Sequence, residues 1–335
     1  MPTHLDIDER RSSPGAVTAA AAVAEASVRL APFALETPLV CAHSLHPTAY
    51  YKCENLQRTG SFKLRGALNK LLHLTPEERA RGVVTSSTGN HGLAVAAALA
   101  LTSGRGTVVV SEAASSDKID RLTRAGLEVI TTDGDPMAAE LEARALAERE
   151  GRVYVSPYND LEVLAGQGTV AVELLAQRPD LEAVFIAVGG GGLAAGIAAH
   201  LKSVRPDVAV VGCWPERAAA MYESVRAGRL IEVPEQDTLS DGTAGNIEPG
   251  AITFPLCRDL IDELVLVSEE EIASAMRDAL LADHLLIEGA AGVAVAGWRA
   301  FNAARPRLAG RVSAIILCGG NVSAKTIGEV LATPP

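Results

Sequence analysis

Short β-branched runs alternating with longer helical patterns predict an α/β protein built as two parallel-sheet domains. Length points the same way, because 335 residues exceed what one hydrophobic core usually supports. Two strand-to-helix junctions rich in serine and glycine, at residues 87–92 and 189–192, fit that architecture.

In chain order, residues 1–14 read as a loose arm. The alanine-rich run 18–28 is interrupted by Glu25 and is too short and too weakly apolar to cross a bilayer. Thr75-Pro76-Glu77-Glu78 joins an N-cap, a proline at the first helical position and a capping-box glutamate, so a helix starts there. Residues 83–85, 106–110, 128–131 and 153–156 read as strands, with helices over 91–101 and 136–149 among them. A second set has strands over 183–188, 208–212, 264–267 and 312–317 and helices over 193–204, 269–282 and 289–304. Ser268-Glu269-Glu270-Glu271 repeats the capping box before the middle helix of that set.

Composition narrows the partners. A net charge of −11 repels polyanions, and aromatic residues at 4% are too sparse for base-stacking platforms, so nucleic acid and anionic membranes are set aside. The hydrophobic share of 48% against 21% charged is ordinary for a globular chain. Five scattered cysteines with no C-x-x-C pair argue for reduced thiols in a cytoplasmic setting. Asp6, Asp8 and Glu9 precede any apolar run, unlike the start of a signal peptide.

Four segments carry chemistry. Lys63 lies in Ser61-Phe62-Lys63-Leu64-Arg65-Gly66, at the head of an apolar helical run. A lysine there suits core packing poorly and carbonyl chemistry well, since a cofactor aldehyde reaches the amine while the helix holds its stem. Burial beside an apolar ring keeps such an amine neutral part of the time. Alone, Lys63 reads equally as a solvated helix lysine and Phe62 as plain core. Gly189-Gly190-Gly191-Gly192 precedes the helix that begins near Leu193, where consecutive N–H groups can close around a phosphate. A Rossmann loop fits loosely over residues 190–195, but Cys213-Trp214 rather than an acidic residue closes the next strand. A structural glycine turn stays open too. Ser87-Thr88-Gly89-Asn90-His91-Gly92 offers hydroxyls and N–H groups to a carboxylate, or an ordinary N-cap to the following helix. Cys318-Gly319-Gly320-Asn321 ends the last strand, with a buried structural cysteine as the alternative there.

In this order and spacing the four segments resemble the fold-type II pyridoxal-phosphate (PLP) enzymes, specifically the threonine/serine dehydratase and serine racemase family. The resemblance spans about residues 35–331. It implies the tryptophan synthase β-subunit-like fold, with a small domain over 84–158 inserted into a large domain of 15–83 and 159–331. Lys63 is then the Schiff-base lysine and the base on the substrate Cα, and Phe62 packs against the cofactor ring. Gly189, Gly190, Gly191, Gly192 and Leu193 bind the phosphate, Asn90 the 3-oxygen and Cys318 the pyridine nitrogen. Relatives commonly carry serine at that last position. Neither group supplies the negative charge that keeps the nitrogen protonated, and the weaker electron sink favours loss of a β-substituent. Ser87, Thr88, Asn90 and His91 receive the substrate carboxylate. Asp241 and Glu288 match positions lining the cofactor or substrate side, although a turn aspartate and a helix-start glutamate explain them as well.

The implied activity is removal of water and ammonia from L-threonine, L-serine or another β-hydroxy amino acid, giving a 2-oxo acid, in a homodimer. An intermediate of hydroxyectoine breakdown stays open as substrate, as do a racemase and a binding protein without catalysis. Thr88 stands where racemases place a serine, and Trp214-Pro215 followed by Ala220 lacks the acids of their metal site. Elimination without a metal is therefore expected. Cys41, His43 and His46 have no fourth zinc ligand and are left unassigned.

Overall fold

The computed structural model describes residues 13–306 and 310–332. Most of the expected arm, residues 1–12, lies outside the described residues. Its last two positions belong to a helix: the Ser13 hydroxyl caps α1 (Pro14–Leu30), and Pro14 takes the first helical position, where a missing N–H costs nothing.

Two sheets organise the chain. Strands β1 (Leu39–Cys41) and β2 (Ala49–Lys52) form an antiparallel pair at one edge of the larger sheet. It continues in parallel through β10 (Ser313–Ile316), β7 (Ala183–Ala187), β8 (Ala209–Pro215) and β9 (Glu263–Val267). The smaller sheet is wholly parallel, in the order β5 (Glu128–Thr132), β4 (Gly106–Ser111), β3 (Val83–Thr85), β6 (Val153–Tyr154). The apolar runs of β4 and β7 are buried along their whole length, as parallel strands covered on both faces must be. Edge strand β5 instead leaves Glu128, Thr131 and Ile130 exposed.

Helices cover these sheets. Between β2 and β3 lie α2 (Lys63–His73) and α3 (Pro76–Arg81), the latter opened by Thr75 and Glu78 in a complete capping box. The smaller sheet carries α4 (Asn90–Thr102), α5 (Ser116–Arg124) and α6 (Pro136–Arg149). Around the larger one stand α7 (Leu161–Gln177), α8 (Gly192–Val204), α9 (Ala220–Ala227) and α10 (Thr253–Leu260). The chain closes with α11 (Glu269–Leu281), again opened by a complete capping box, then α12 (Gly289–Ala304) and α13 (Ala324–Ala332).

Glycines set how closely the helices beneath the site approach. A Cβ on Gly168 of α7 would stand 2.7 Å from the Gly196 carbonyl of α8, and one on Gly166 would stand 2.7 Å from the Gly66 Cα of α2. Backbone therefore touches backbone in this stack, and α2 is seated on α7 with little freedom to shift. Strands β3, β7 and β10 each run parallel to their neighbours, so the turns after them lie at the carboxyl ends of parallel strands, where α/β sheets bind ligands.

Candidate active site

Local pairing fixes Lys63. Ser61 forms an antiparallel bridge with Gly319, and the Phe62 N–H donates to the Cys318 carbonyl at 3.0 Å. Lys63 thus opens α2 directly beside Cys318. Its Nζ donates to the Pro157 carbonyl at 2.8 Å and lies 5.2 Å from the Phe62 ring centroid. Burial pushes the amine down to about 8, against the opposing pull of Cys318 and Glu288. An amine in that range is neutral in part near neutral pH, as carbonyl chemistry requires.

Two residues along the helix, Arg65 is 1% exposed and sets the position of the lysine. Its guanidinium donates to both Glu54 oxygens at 2.8 Å and to Glu173 at 2.6 and 2.9 Å, while Lys52 bonds Glu173 from the other side. Burial raises the Glu54 carboxyl, but the Arg65 charge and hydrogen bonds more than reverse this and hold it ionised. Gln167 accepts from the Gly66 N–H at 3.1 Å and completes the seat.

The glycine turn leaves β7 and enters α8 with Gly191 at φ +87°, left-handed backbone that glycine adopts without strain. Among the described residues, the N–H groups from Gly189 to Leu193 donate to no protein acceptor. The carbonyls are otherwise engaged, that of Gly190 by the Thr253 hydroxyl at 2.7 Å and that of Gly191 by the Ala195 N–H at 2.8 Å. A Cβ would collide with Thr243 at Gly189, with Tyr158 at Gly190 and with the Cys257 sulfur at Gly191, and at Gly192 it would crowd Tyr158 at 3.1 Å. Unpaired donors at a helix N-terminus, on a turn packed too tightly behind for side chains, fit a phosphate.

The turn after β3 behaves similarly. Gly89 is the N-cap of α4, and no side chain caps it, so the N-cap explanation of Ser87, Thr88 and Asn90 does not hold. Ser87 accepts from the Gly89 N–H at 3.2 Å, and the first-turn N–H groups stay open. His91 is turned inward. Its ring is 3% exposed, bonds the Val155 carbonyl through Nε2 at 3.0 Å, and is held neutral by burial and the nearby Lys63, with its pKa pushed down to about 3. Its Nδ1 has no hydrogen-bond partner among the described residues, and its backbone N–H is one of the open first-turn donors.

Across from this loop, Glu288 occupies the N-cap position of α12 without its side chain capping the helix, and its carboxyl accepts from the Asn90 amide at 2.8 and 3.0 Å and from the Asn321 N–H at 3.2 Å. Burial pushes its carboxyl up to about 7, with Asp241 adding to the rise and the Asn90 hydrogen bond opposing it. The Cys318 thiol is raised well above its ordinary range, first by burial and then by Glu288, and stays neutral. Lys63, Phe62, Asn90, Glu288 and Cys318 are therefore gathered around one place. Asp241 sits in the 3-10 turn Asp241–Thr243, which abuts the glycine turn through Thr243.

Sequence reasoning missed Tyr158. Its ring packs on Gly190 and its Cα and Cβ on Gly192, its hydroxyl accepts from the Glu248 N–H at 3.0 Å, and the preceding Pro157 carbonyl holds Lys63. Nothing local marks it, because its role comes from the meeting of the two sheets' loops. Arg65 and Asn321 lay inside the quoted motifs without a role. His46 bonds Thr48 at 2.8 Å, and among the described residues no His, Cys, Asp or Glu group could hold a metal. No described helix is long and apolar enough to cross a membrane.

A lysine set up for an aldehyde and a cradle set up for a phosphate, held together at sheet carboxyl ends, define the class: an α/β enzyme of PLP chemistry. The chain belongs to the family described as pyridoxal-phosphate dependent enzyme, which it matches over residues 30–319. It is 41% identical to an L-threonine ammonia-lyase of Thermotoga maritima over 84% of this chain and 69% of that protein. Among solved structures it resembles the processed form of threonine deaminase isoform 2 from Solanum lycopersicum, with a TM-score of 0.89 and 32% identity over 99% of this chain and 90% of that one. It also resembles maize serine racemase, with a TM-score of 0.86 and 30% identity over 93% and 96%.

Proposed function

We propose that this protein is a PLP-dependent ammonia-lyase that dehydrates and deaminates a β-hydroxy amino acid of the L-threonine or L-serine type. The observation that carries the reading is the neutral Cys318 thiol beside a partly neutral Lys63, together with threonine ammonia-lyase relatives over most of the chain. When bound, PLP draws electrons from the substrate Cα and so acidifies its proton. The N–H groups from Gly189 to Leu193 would hold its phosphate, and Phe62 would pack against its ring. Ser87, Thr88, Asn90 and the His91 N–H take the substrate carboxylate, which the N-terminal end of the α4 dipole favours. Lys63 takes the Cα proton as general base. A neutral thiol at Cys318 would supply no negative charge to the pyridine nitrogen, and the weaker electron sink would favour loss of the β-hydroxyl. The enamine then yields a 2-oxo acid and ammonium in water.

Residues 84–158 form the small substrate-side domain and 15–83 with 159–331 the large one, working as a cytoplasmic homodimer. Five unpaired thiols and the prevalence of twofold oligomers support the last two assignments. Racemisation is the second reading, favoured by the serine racemase likeness and opposed by Thr88, whose β-branching restricts its rotamer. The test is a panel of β-hydroxy amino acids offered to purified, PLP-loaded protein while ammonium and 2-oxo acid are followed. L-threonine or L-serine should be among the best substrates. Turnover confined to other members would move the substrate assignment, and none at all would end the lyase reading.

A further inference from the structure

Asn321 closes the Cys318 tetrad, and every polar atom of its side chain is engaged. The two amide hydrogens go to the Thr59 carbonyl and to Asn90 Oδ1, each at 2.8 Å, while Oδ1 accepts from Arg121 at 2.7 Å. The four groups bound to this residue come from four segments: the approach to Lys63, the start of α4, the α5 helix, and Glu288 ahead of α12, reached by its backbone N–H. Room is made for it as well. Gly60 adopts φ +72°, and a Cβ there would come within 3.0 Å of the Asn321 amide.

This arrangement settles how Asn90 points. An amide carries donors at one end and an acceptor at the other. With a donor from Asn321 on its Oδ1, Asn90 must turn its Nδ2 toward Glu288, where the carboxylate oxygens receive it at 2.8 and 3.0 Å. A flipped Asn90 would set donor against donor on one side and acceptor against acceptor on the other. We propose that Asn321 is a positioning residue that fixes the Asn90 carboxamide and thereby ties the carboxylate-receiving end of α4 to the segment leading into Lys63. It rests on the site being the PLP site argued above, and it assigns a role to a side chain that touches neither the lysine nor the glycine cradle.

The test compares wild type with Asn321→Asp and Asn321→Ala, each also in an Asn90→Ala background, as PLP-loaded proteins. Asn321→Asp keeps the volume but replaces two donors with an acceptor facing Thr59 O and Asn90 Oδ1. Three quantities are read: the pH midpoint of the cofactor's visible absorbance, KM and kcat for L-threonine, and the melting temperature. Loss of one well-placed hydrogen-bonded contact corresponds to about a tenfold rise in KM, with kcat falling less, and the absorbance midpoint should move with it. In the Asn90→Ala background, Asn321→Asp should add no further shift, because its effect runs through Asn90. Should Asn321→Ala fail to fold, Asn321→Ser, which keeps a donor, replaces it. A lower melting temperature with KM and absorbance midpoint unchanged would overturn the proposal, as would shifts that simply add in the double variant. Absence of turnover by wild type would instead count against the lyase reading, while the absorbance midpoints would still judge Asn321.

Discussion

At the scale of single residues, the account depends on two buried ionisable groups whose environments push them toward neutrality. Lys63→Ala should abolish turnover while leaving the fold intact, and borohydride reduction with peptide mapping should place the cofactor on Lys63; a label on another lysine would remove the assignment. Glu288 makes a separate prediction. Its folded pKa is raised from 4.5 to about 7, so between those values the folded chain holds more protons than the unfolded one and stability falls as pH rises. Glu288→Gln removes that dependence. In cofactor-free protein the melting temperature of the variant should gain on wild type from pH 5 to pH 8, and a constant difference would show that burial does not control this carboxyl. Lys63, the glycines and Cys318 were legible in the sequence because each lies in a short motif, at a helix head for Lys63 and at a strand end for the others. The inward His91 ring, Tyr158 and Asn321 were not, since their partners Val155, Gly190 and Asn90 are distant in the chain or drawn from another sheet.

At the scale of elements, the glycine turn and α2 carry most of the geometry. Gly191→Val would force a β-branched residue into φ +87° and press its Cβ within 2.7 Å of the Cys257 sulfur. PLP affinity measured by fluorescence titration should fall by at least about tenfold, since the turn must distort to relieve that clash and strain and its N–H groups then lose their common aim. Unchanged PLP affinity together with NAD binding would favour a dinucleotide loop instead. Breaking the charge cluster should act on the fold: Glu54→Ala leaves Arg65 short of a buried partner and should cost about 3–5 kcal/mol in denaturant unfolding. Capping boxes at Thr75 and Ser268 made two helix starts readable, and α6 and α12 match their expected spans. The β1–β2 pair was too short to announce itself. Helix α7 went unread because Gly166 and Gly168, which let α2 and α8 approach, weaken its helical signal.

At the scale of the molecule, the glycine turn, the loop after β3 and Lys63 are brought together at neighbouring strand ends, and the two sheets meet there through Asn90, Tyr158 and Asn321. Which face of the substrate meets a proton donor decides between elimination and racemisation. On the proposed reading Thr88 stands where racemases place a serine, so Thr88→Ser should raise formation of the D-isomer from L-serine, measured by chiral chromatography; no rise would mean that another group limits reprotonation. The central claim is tested most directly by incubating PLP-loaded protein with L-threonine in chelator-treated buffer and following 2-oxobutyrate, ammonium and the configuration of the remaining substrate. The account predicts equal amounts of 2-oxobutyrate and ammonium at a rate that chelation leaves unchanged, with the residual threonine still of L configuration. Epimerised threonine without 2-oxobutyrate, or activity that disappears with chelator and returns with Mg2+, would contradict it.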